Sequence, residues 1–197
     1  MTHVTQETID VATLASSEVL AGGSKGMSDL AKLVSRIPTS PSPVVIALDF
    51  RRIKVATSSY LREFAIGFRN YCSQTRPEAY PVIANANMVI VEELRTILSS
   101  MRDAIVLCQL RDGTRVTEGR VIGVLDEKEE AALVAVLHSP GIDAVALAGT
   151  YKSSDNVSAN AWSNRLAGLV QKRILVEERD GRRKRFVPVL KELEYGC

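Results

Sequence analysis

Aromatic residues, cysteine and histidine are scarce in this chain. Aromatics make up 5% of 197 residues, so a core has to be assembled mainly from Leu, Val, Ile and Ala. The three cysteines, Cys72, Cys108 and Cys197, lie far apart with no CxxC pair. That excludes a disulfide scaffold and any recognisable thiolate metal site. Two histidines, His3 and His138, are too few for a histidine-rich zinc site. No apolar run approaches the roughly 18 residues of a transmembrane helix. The first fifteen residues, MTHVTQETIDVATLA, carry acids and no basic leader segment, so they do not read as a signal peptide. The expectation is a soluble cytoplasmic protein with no membrane partner and no cofactor. A net charge of +2, from 25 basic and 23 acidic residues, says nothing about nucleic acid unless the excess is local. What is present, 46% apolar and 24% charged residues, suffices for one or two ordinary cores and excludes wholesale disorder.

The pattern changes near Leu125. Before it, strand and helix alternate. Gly22-Gly23-Ser24-Lys25-Gly26 reads as a loop. Leu30, Leu33, Val34 and Ile37 then follow at helical spacing up to Pro38. Val44–Phe50 is a continuous β-branched apolar run of the kind buried on both faces of a sheet. Thr57, Ser58 and Ser59 stand where a helix N-cap is wanted, ahead of Leu61, Phe64, Ala65 and Phe68. Tyr80–Asn85 reads as a strand, Met88–Met101 as a helix and Ala104–Cys108 as a strand, and Arg111–Thr114 turns the chain into a hairpin. Short connections between these elements make a βαβ grammar, which predicts a mixed, largely parallel sheet with helices over residues 1–125.

After Leu125 the expectation is three helices and a hairpin. Asp126 and Glu129 form a capping-box pattern, Asp143 caps a short second helix, and Ser158 caps a third helix reaching about Arg173. Trp162, Leu166, Leu169 and Val170 form its apolar stripe. Asp180-Gly181 signals a two-residue turn, which places Glu178 opposite Arg183, Glu177 opposite Lys184 and Leu175 opposite Phe186. Helix, helix, helix, hairpin is the layout of a winged helix-turn-helix, expected over 126–197.

That layout brings one function into view. In such a unit the third helix offers short polar side chains to base edges in the major groove of double-stranded DNA. Ser158, Asn160, Ser163 and Asn164 are of that type. Arg165, Lys172 and Arg173 are placed to meet phosphates, and Arg179, Arg182, Arg183, Lys184 and Arg185 make the hairpin tip basic. From Ser158 to Lys191 nine basic residues stand against Glu177, Glu178 and Asp180, a local net of +6. Phosphate neutralisation would use that excess. A salt-bridged, solvated hairpin on a protein-interaction module remains the alternative.

Two resemblances add to this reading. VSANAWSNRLAGLVQKRILVEERDGRRKRFVPV is similar to the recognition helix and wing of bacterial winged-helix regulators, through Ser158, Ala161, Ser163, Arg165, Leu166 and Leu169. VVIALDFRRIKVATSSYLREFAIGF resembles the STAS-like domains, relatives of the anti-sigma factor antagonists, through Val44–Phe50, Ser58, Ser59, Tyr60 and Glu63. The first implies a transcription regulator that reads DNA, with a homodimer as one option. The second implies an interaction or sensing domain that engages a kinase or ATPase partner, with Ser59, beside Ser58, at the position phosphorylated in that family. It also implies the rival function, a non-catalytic adaptor of the antagonist type. Where Thr57 and Ser58 or Ser59 merely cap the helix, no switch is needed.

Other signals are weaker. The GGSKG run lacks the GxxxxGK[ST] form of a phosphate loop. Asp49, Asn85 and Asn87 read as turn residues at strand ends. No Ser-His-Asp or Cys-His set suggests itself, so no catalytic role is expected.

Overall fold

The computed structural model describes residues 5–37, 39–151, 157–181 and 183–195. Along the chain they form β1 (Thr5–Asp10), α1 (Val11–Ala15), β2 (Val19–Leu20), α2 (Gly23–Arg36), β3 (Val44–Asp49), β4 (Val55–Ala56) and α3 (Ser58–Leu61). A π-helical stretch, Arg62–Ile66, runs on into α4 (Gly67–Thr75). There follow β5 (Ala79–Ala84), α5 (Met88–Met101), β6 (Ala104–Arg111), β7 (Arg115–Gly123), α6 (Glu127–His138), α7 (Ala144–Thr150), α8 (Ala159–Gln171), β8 (Leu175–Asp180), β9 (Arg183–Pro188) and β10 (Leu193–Glu194).

The fold is α/β around a mixed, mostly parallel six-stranded sheet in the order β1-β3-β5-β6-β7-β10. β1, β3, β5 and β6 run parallel, β7 returns antiparallel beside β6, and β10 lies parallel to β7. The four parallel strands lie in the order in which they occur in the chain. Right-handed crossovers that always step the same way put every connecting helix on one face of the sheet. The core follows that rule. Ile46, Leu48, Ile83 and Leu107 pack with α1–α5 on one face. Val45, Ala47, Tyr80, Val82 and Val106 face the other way.

That second face is covered by the C-terminal third of the chain. Leu133 and Val136 of α6, Leu147 of α7, Trp162, Leu166 and Leu169 of α8, and Phe186 of β9 share one core with those sheet residues. Residues on both sides of Leu125 therefore belong to a single apolar layer. Each C-terminal helix starts where its cap sits. Asp126 and Glu129 complete a reciprocal capping box, Asp143 accepts from Ala146 N–H, and Ser158 accepts from Ala161 N–H. Gly119 of β7 is required by the closing strand, since a Cβ there would stand 2.9 Å from the Glu192 carbonyl oxygen.

Two expectations are corrected. The GGSKG run is not a loop. Only Gly22 lies outside the helix, and α2 begins at Gly23, because Gly26 packs against α3 where a Cβ would come within 2.8 Å of the Tyr60 carbonyl oxygen. The pairing register of the C-terminal hairpin is shifted by two residues from the one expected around Asp180-Gly181. Asp180 pairs with Arg183, Glu178 with Arg185 and Glu177 with Phe186. A shift of two keeps every side chain on its expected face, which is why the apolar pattern could not choose between the registers.

Candidate nucleic-acid interface

Helix α8 divides cleanly into two sides. Trp162, Leu166 and Leu169 are buried, whereas Asn160, Asn164, Ala167 and Gln171 are exposed at successive helical spacings. Burial of the first set against α6, α7 and β8 fixes the rotation of the helix, so the polar stripe must face solvent. Ser163 and Arg165 lie at the border, half-buried, and the Arg165 guanidinium sits 4.9 Å from the centre of the Trp162 ring. Ser158 is exposed, but its hydroxyl is engaged in capping the helix.

The basic residues separate into two groups. Arg183, Lys184 and Arg185 are exposed on β9. Lys184 Nζ lies 3.0 Å from Glu177 Oε2, and Arg179 lies 3.6 Å from the same carboxylate, so one acid is shared by two cations of the hairpin. Arg182 falls outside the described residues. Lys172 and Arg173 point into the protein instead. Lys172, expected beside phosphate, donates to both oxygens of Glu129 at 2.8 and 2.6 Å and is only 19% exposed. Arg173 is 4% exposed. Its guanidinium donates to the carbonyls of Pro77 and Cys72 and stacks on the Tyr80 ring at 5.1 Å. Burial pushes the Arg173 pKa down from its ordinary value, a shift opposed by the electron-rich groups around it.

The serine pair lies at the far end of the molecule's longest helical run, Ser58–Thr75. Thr57 is the N-cap, accepting from Tyr60 N–H. Ser58 Oγ donates to the Glu93 carboxylate, and Ser59 Oγ lies 3.2 Å from Thr57 Oγ1. Close by, Val19 of β2 and Val55 of β4 form an exposed cross-strand pair. Asn87 donates to the carbonyls of Ile53 and Lys54, and Met88, the next residue, is exposed. Asp49 and Asn85 are joined to each other at 2.7 Å, Asp49 accepts from Arg51 N–H, and Asn85 accepts from Leu110 N–H.

Two buried ion-pair groups lie within the α/β half of the chain. Arg69, 4% exposed, donates to both oxygens of Asp103, at 2.8 Å to Oδ1. Burial alone would raise the Asp103 pKa, but the Arg69 hydrogen bonds and charge outweigh it and hold that carboxyl below its usual value. Asp29, fully buried, accepts from Lys25 and Lys32 at 2.8 Å and from the Tyr60 hydroxyl at 3.1 Å. A polar cleft of ≈ 270 Å³ separates α4 from α8, lined by Arg69, Arg102, Asp103, Glu129, Gln171 and Lys172. Burial pushes the thiols of Cys72 and Cys108 up to about 12, so neither is a nucleophile at neutral pH. Among the described residues no group of three metal-ligating side chains occurs, and no helix is long and apolar enough to cross a membrane.

Comparison with protein-family models, curated proteins and solved structures finds no match for the chain.

Proposed function

We propose that this protein is a non-catalytic regulator that binds double-stranded DNA through a winged helix-turn-helix formed by α6–α8 and the β8–β9 hairpin. The STAS-like α/β part, which carries the Ser58–Ser59 end, engages a protein partner. The observation that carries the reading is the solvent-facing side of α8. Asn160, Asn164, Ala167 and Gln171 form an unbroken stripe with no acid and no bulky apolar group, and the exposed cations of β9 follow it in the chain. Amides of that kind pair with adenine edges in a major groove, and the exposed arginines and lysine supply phosphate contacts.

The internal roles of Lys172 and Arg173 reduce the cations available to DNA, so phosphate contact rests on Arg165, Arg179 and the β9 trio. Electrophoretic shift or anisotropy assays across a salt series test the reading. Affinity falling steeply with salt for duplexes, and a preferred sequence emerging by selection from random duplexes, support it. Salt-insensitive or absent binding ends it.

The rival adaptor function draws on one observation, the exposed Val19–Val55 pair, of which Val55 stands three residues ahead of Ser58 in the chain. An adaptor would capture its kinase or ATPase partner through that surface and bind no DNA. Phosphate on Ser58 would sit against the Glu93 carboxylate, which opposes a second negative charge. Ser59 Oγ lies 3.2 Å from the Thr57 hydroxyl instead, and is the acceptor such an adaptor would use.

A further inference from the structure

The two ends of the sheet are unlike. At one end β10, a strand of two residues, pairs with Gly119 and Arg120 in the middle of β7 and interrupts that edge. The other is β1, six residues long and paired only through one side, to β3. Along its outer side alternate backbone N–H and C=O groups have no partner strand among the described residues. The strand TQETID holds no proline, no lysine and no bulge, and its charges are two acids, Glu7 and Asp10, which only one pairing register would set against like charge.

We infer that β1 is an interface between two copies of this chain, paired antiparallel about a two-fold axis perpendicular to the sheet to give one continuous twelve-stranded sheet. Such an axis keeps each face of the sheet on its own side, so only residues of the same alternation can stand opposite one another. Two registers pair five of the six residues. One is centred on Glu7 and sets its carboxylate against its own copy, a like-charge pair that is unfavourable across strands. The other is centred on Thr8 and sets Thr8 against Thr8, Gln6 against Asp10, and Glu7 against Ile9. No like charges meet, and two β-branched hydroxyl residues lie on the axis, a favourable cross-strand pair.

The strand is stiffened for this role on the face that Gln6 occupies. The Gln6 side chain donates to Thr114 O and accepts from Val116 N–H at 3.0 Å, which pins β1 to the bent tip of the β6–β7 hairpin. Asp10 is held by Arg52 at 3.1 Å and caps α1. A strand already ordered at both ends loses little further entropy on pairing. If the DNA-reading assignment holds, the dimer presents two α8 helices related by a two-fold axis and favours inverted-repeat sites. The interface itself does not depend on that assignment.

Light scattering coupled to size exclusion, on the full chain without DNA, is the test. The expected result is a concentration-dependent dimer. Thr8→Lys alone and Thr8→Glu alone give monomers with unchanged circular dichroism, because each places like charges on the axis, and mixing the two variants restores the dimer. Hydrogen exchange provides a measurement without substitution: β1 amides gain protection in concentrated over dilute wild-type samples. A wild-type chain that stays monomeric at every concentration, or a dimer that survives both charge variants, overturns the inference. So does β1 exchange that ignores concentration.

Discussion

Arg173, the second residue after α8, donates from Nη1 to the Pro77 carbonyl at 3.1 Å across 96 positions of sequence. It sits in left-handed backbone, φ +62°, a conformation that an L side chain adopts at some cost at a helix C-terminus. With Cys72 and Arg76 also supplying carbonyls, the guanidinium caps the end of α4 and ties the chain just after α8 to the α/β layer. Arg173→Ala leaves those carbonyls without their donor and opens space against Tyr80. A loss of about 3 kcal/mol in urea-unfolding stability is expected, the scale of buried polar groups left unpaired. Arg173→Lys recovers only part of it, since an ammonium cannot span three carbonyls in a plane. An unchanged unfolding midpoint in both variants contradicts the anchoring role.

Lys172 and Lys184 are both lysines near the proposed interface, but only one faces outward. Lys172 is committed to Glu129, while Lys184 is about half exposed beside Glu177. Lys184→Ala and Arg183→Ala therefore each lower the slope of log affinity against log salt by about 1, uniformly across duplex sequences. Lys172→Ala leaves that slope unchanged and lowers the thermal midpoint. Equal slope changes for all three substitutions mean that Lys172 leaves Glu129 when DNA binds.

Asn160 and Asn164 call for a different readout. Under the proposed function their amides carry sequence information rather than general attraction, so Asn160→Ala or Asn164→Ala changes which duplexes win a selection. Each is expected to cost about 1–3 kcal/mol on the preferred site and little on random DNA. If both variants weaken all duplexes alike, α8 does not read bases.

How much of this was legible beforehand depended on the range of the interactions. β3, β5 and β6 announce themselves as apolar runs, and α6, α7 and α8 by their caps, because those signals lie within a few residues. The same runs, buried on both faces, demanded a cover for the sheet without naming it. β1 escaped notice because TQETID is a polar edge strand with no apolar run. The start of α2 escaped because glycine at 26 reports a close approach to Tyr60, thirty-odd residues away, and reads locally as a loop. The polar stripe of α8 followed from Trp162, Leu166 and Leu169. The inward fate of Lys172 and Arg173 could not, since their partners lie 43 and 96 to 101 positions away.

Acid should destabilise the α/β layer through its buried carboxylates. Asp103 and Asp29 both have folded pKa values below the usual one, through Arg69 for the first and through Lys25, Lys32 and Tyr60 for the second, each against the opposing effect of burial. A depressed folded value means that the stabilisation is complete above the unfolded value of about 3.9 and is lost as pH falls through the folded value. Stability should therefore hold from neutral pH to about 4 and drop below it. Asp103→Asn flattens that drop while lowering stability at pH 7. A wild-type urea midpoint as high at pH 3 as at pH 7 is incompatible with these ion pairs.

The shared core makes a strong prediction about truncation. A chain ending at Leu125 would lose α6–α8 and both strands of the hairpin, and with them the cover over Val45, Ala47, Tyr80, Val82, Val106 and Val121. Those residues lie on adjacent strands of one sheet, so they would form a continuous apolar surface, larger than monomeric proteins normally expose. It would also lose Arg173, leaving the end of α4 uncapped, and β10, leaving β7 as a free edge. The fragment is expected to aggregate or to bind a hydrophobic dye with little near-ultraviolet dichroism. Tests of communication between the Ser58 end and α8 therefore require point substitutions in the whole chain. A fragment that is monomeric, cooperative in unfolding and silent to the dye would show that the sheet stands without its second layer, and that the two parts of the chain are joined by adjacency alone.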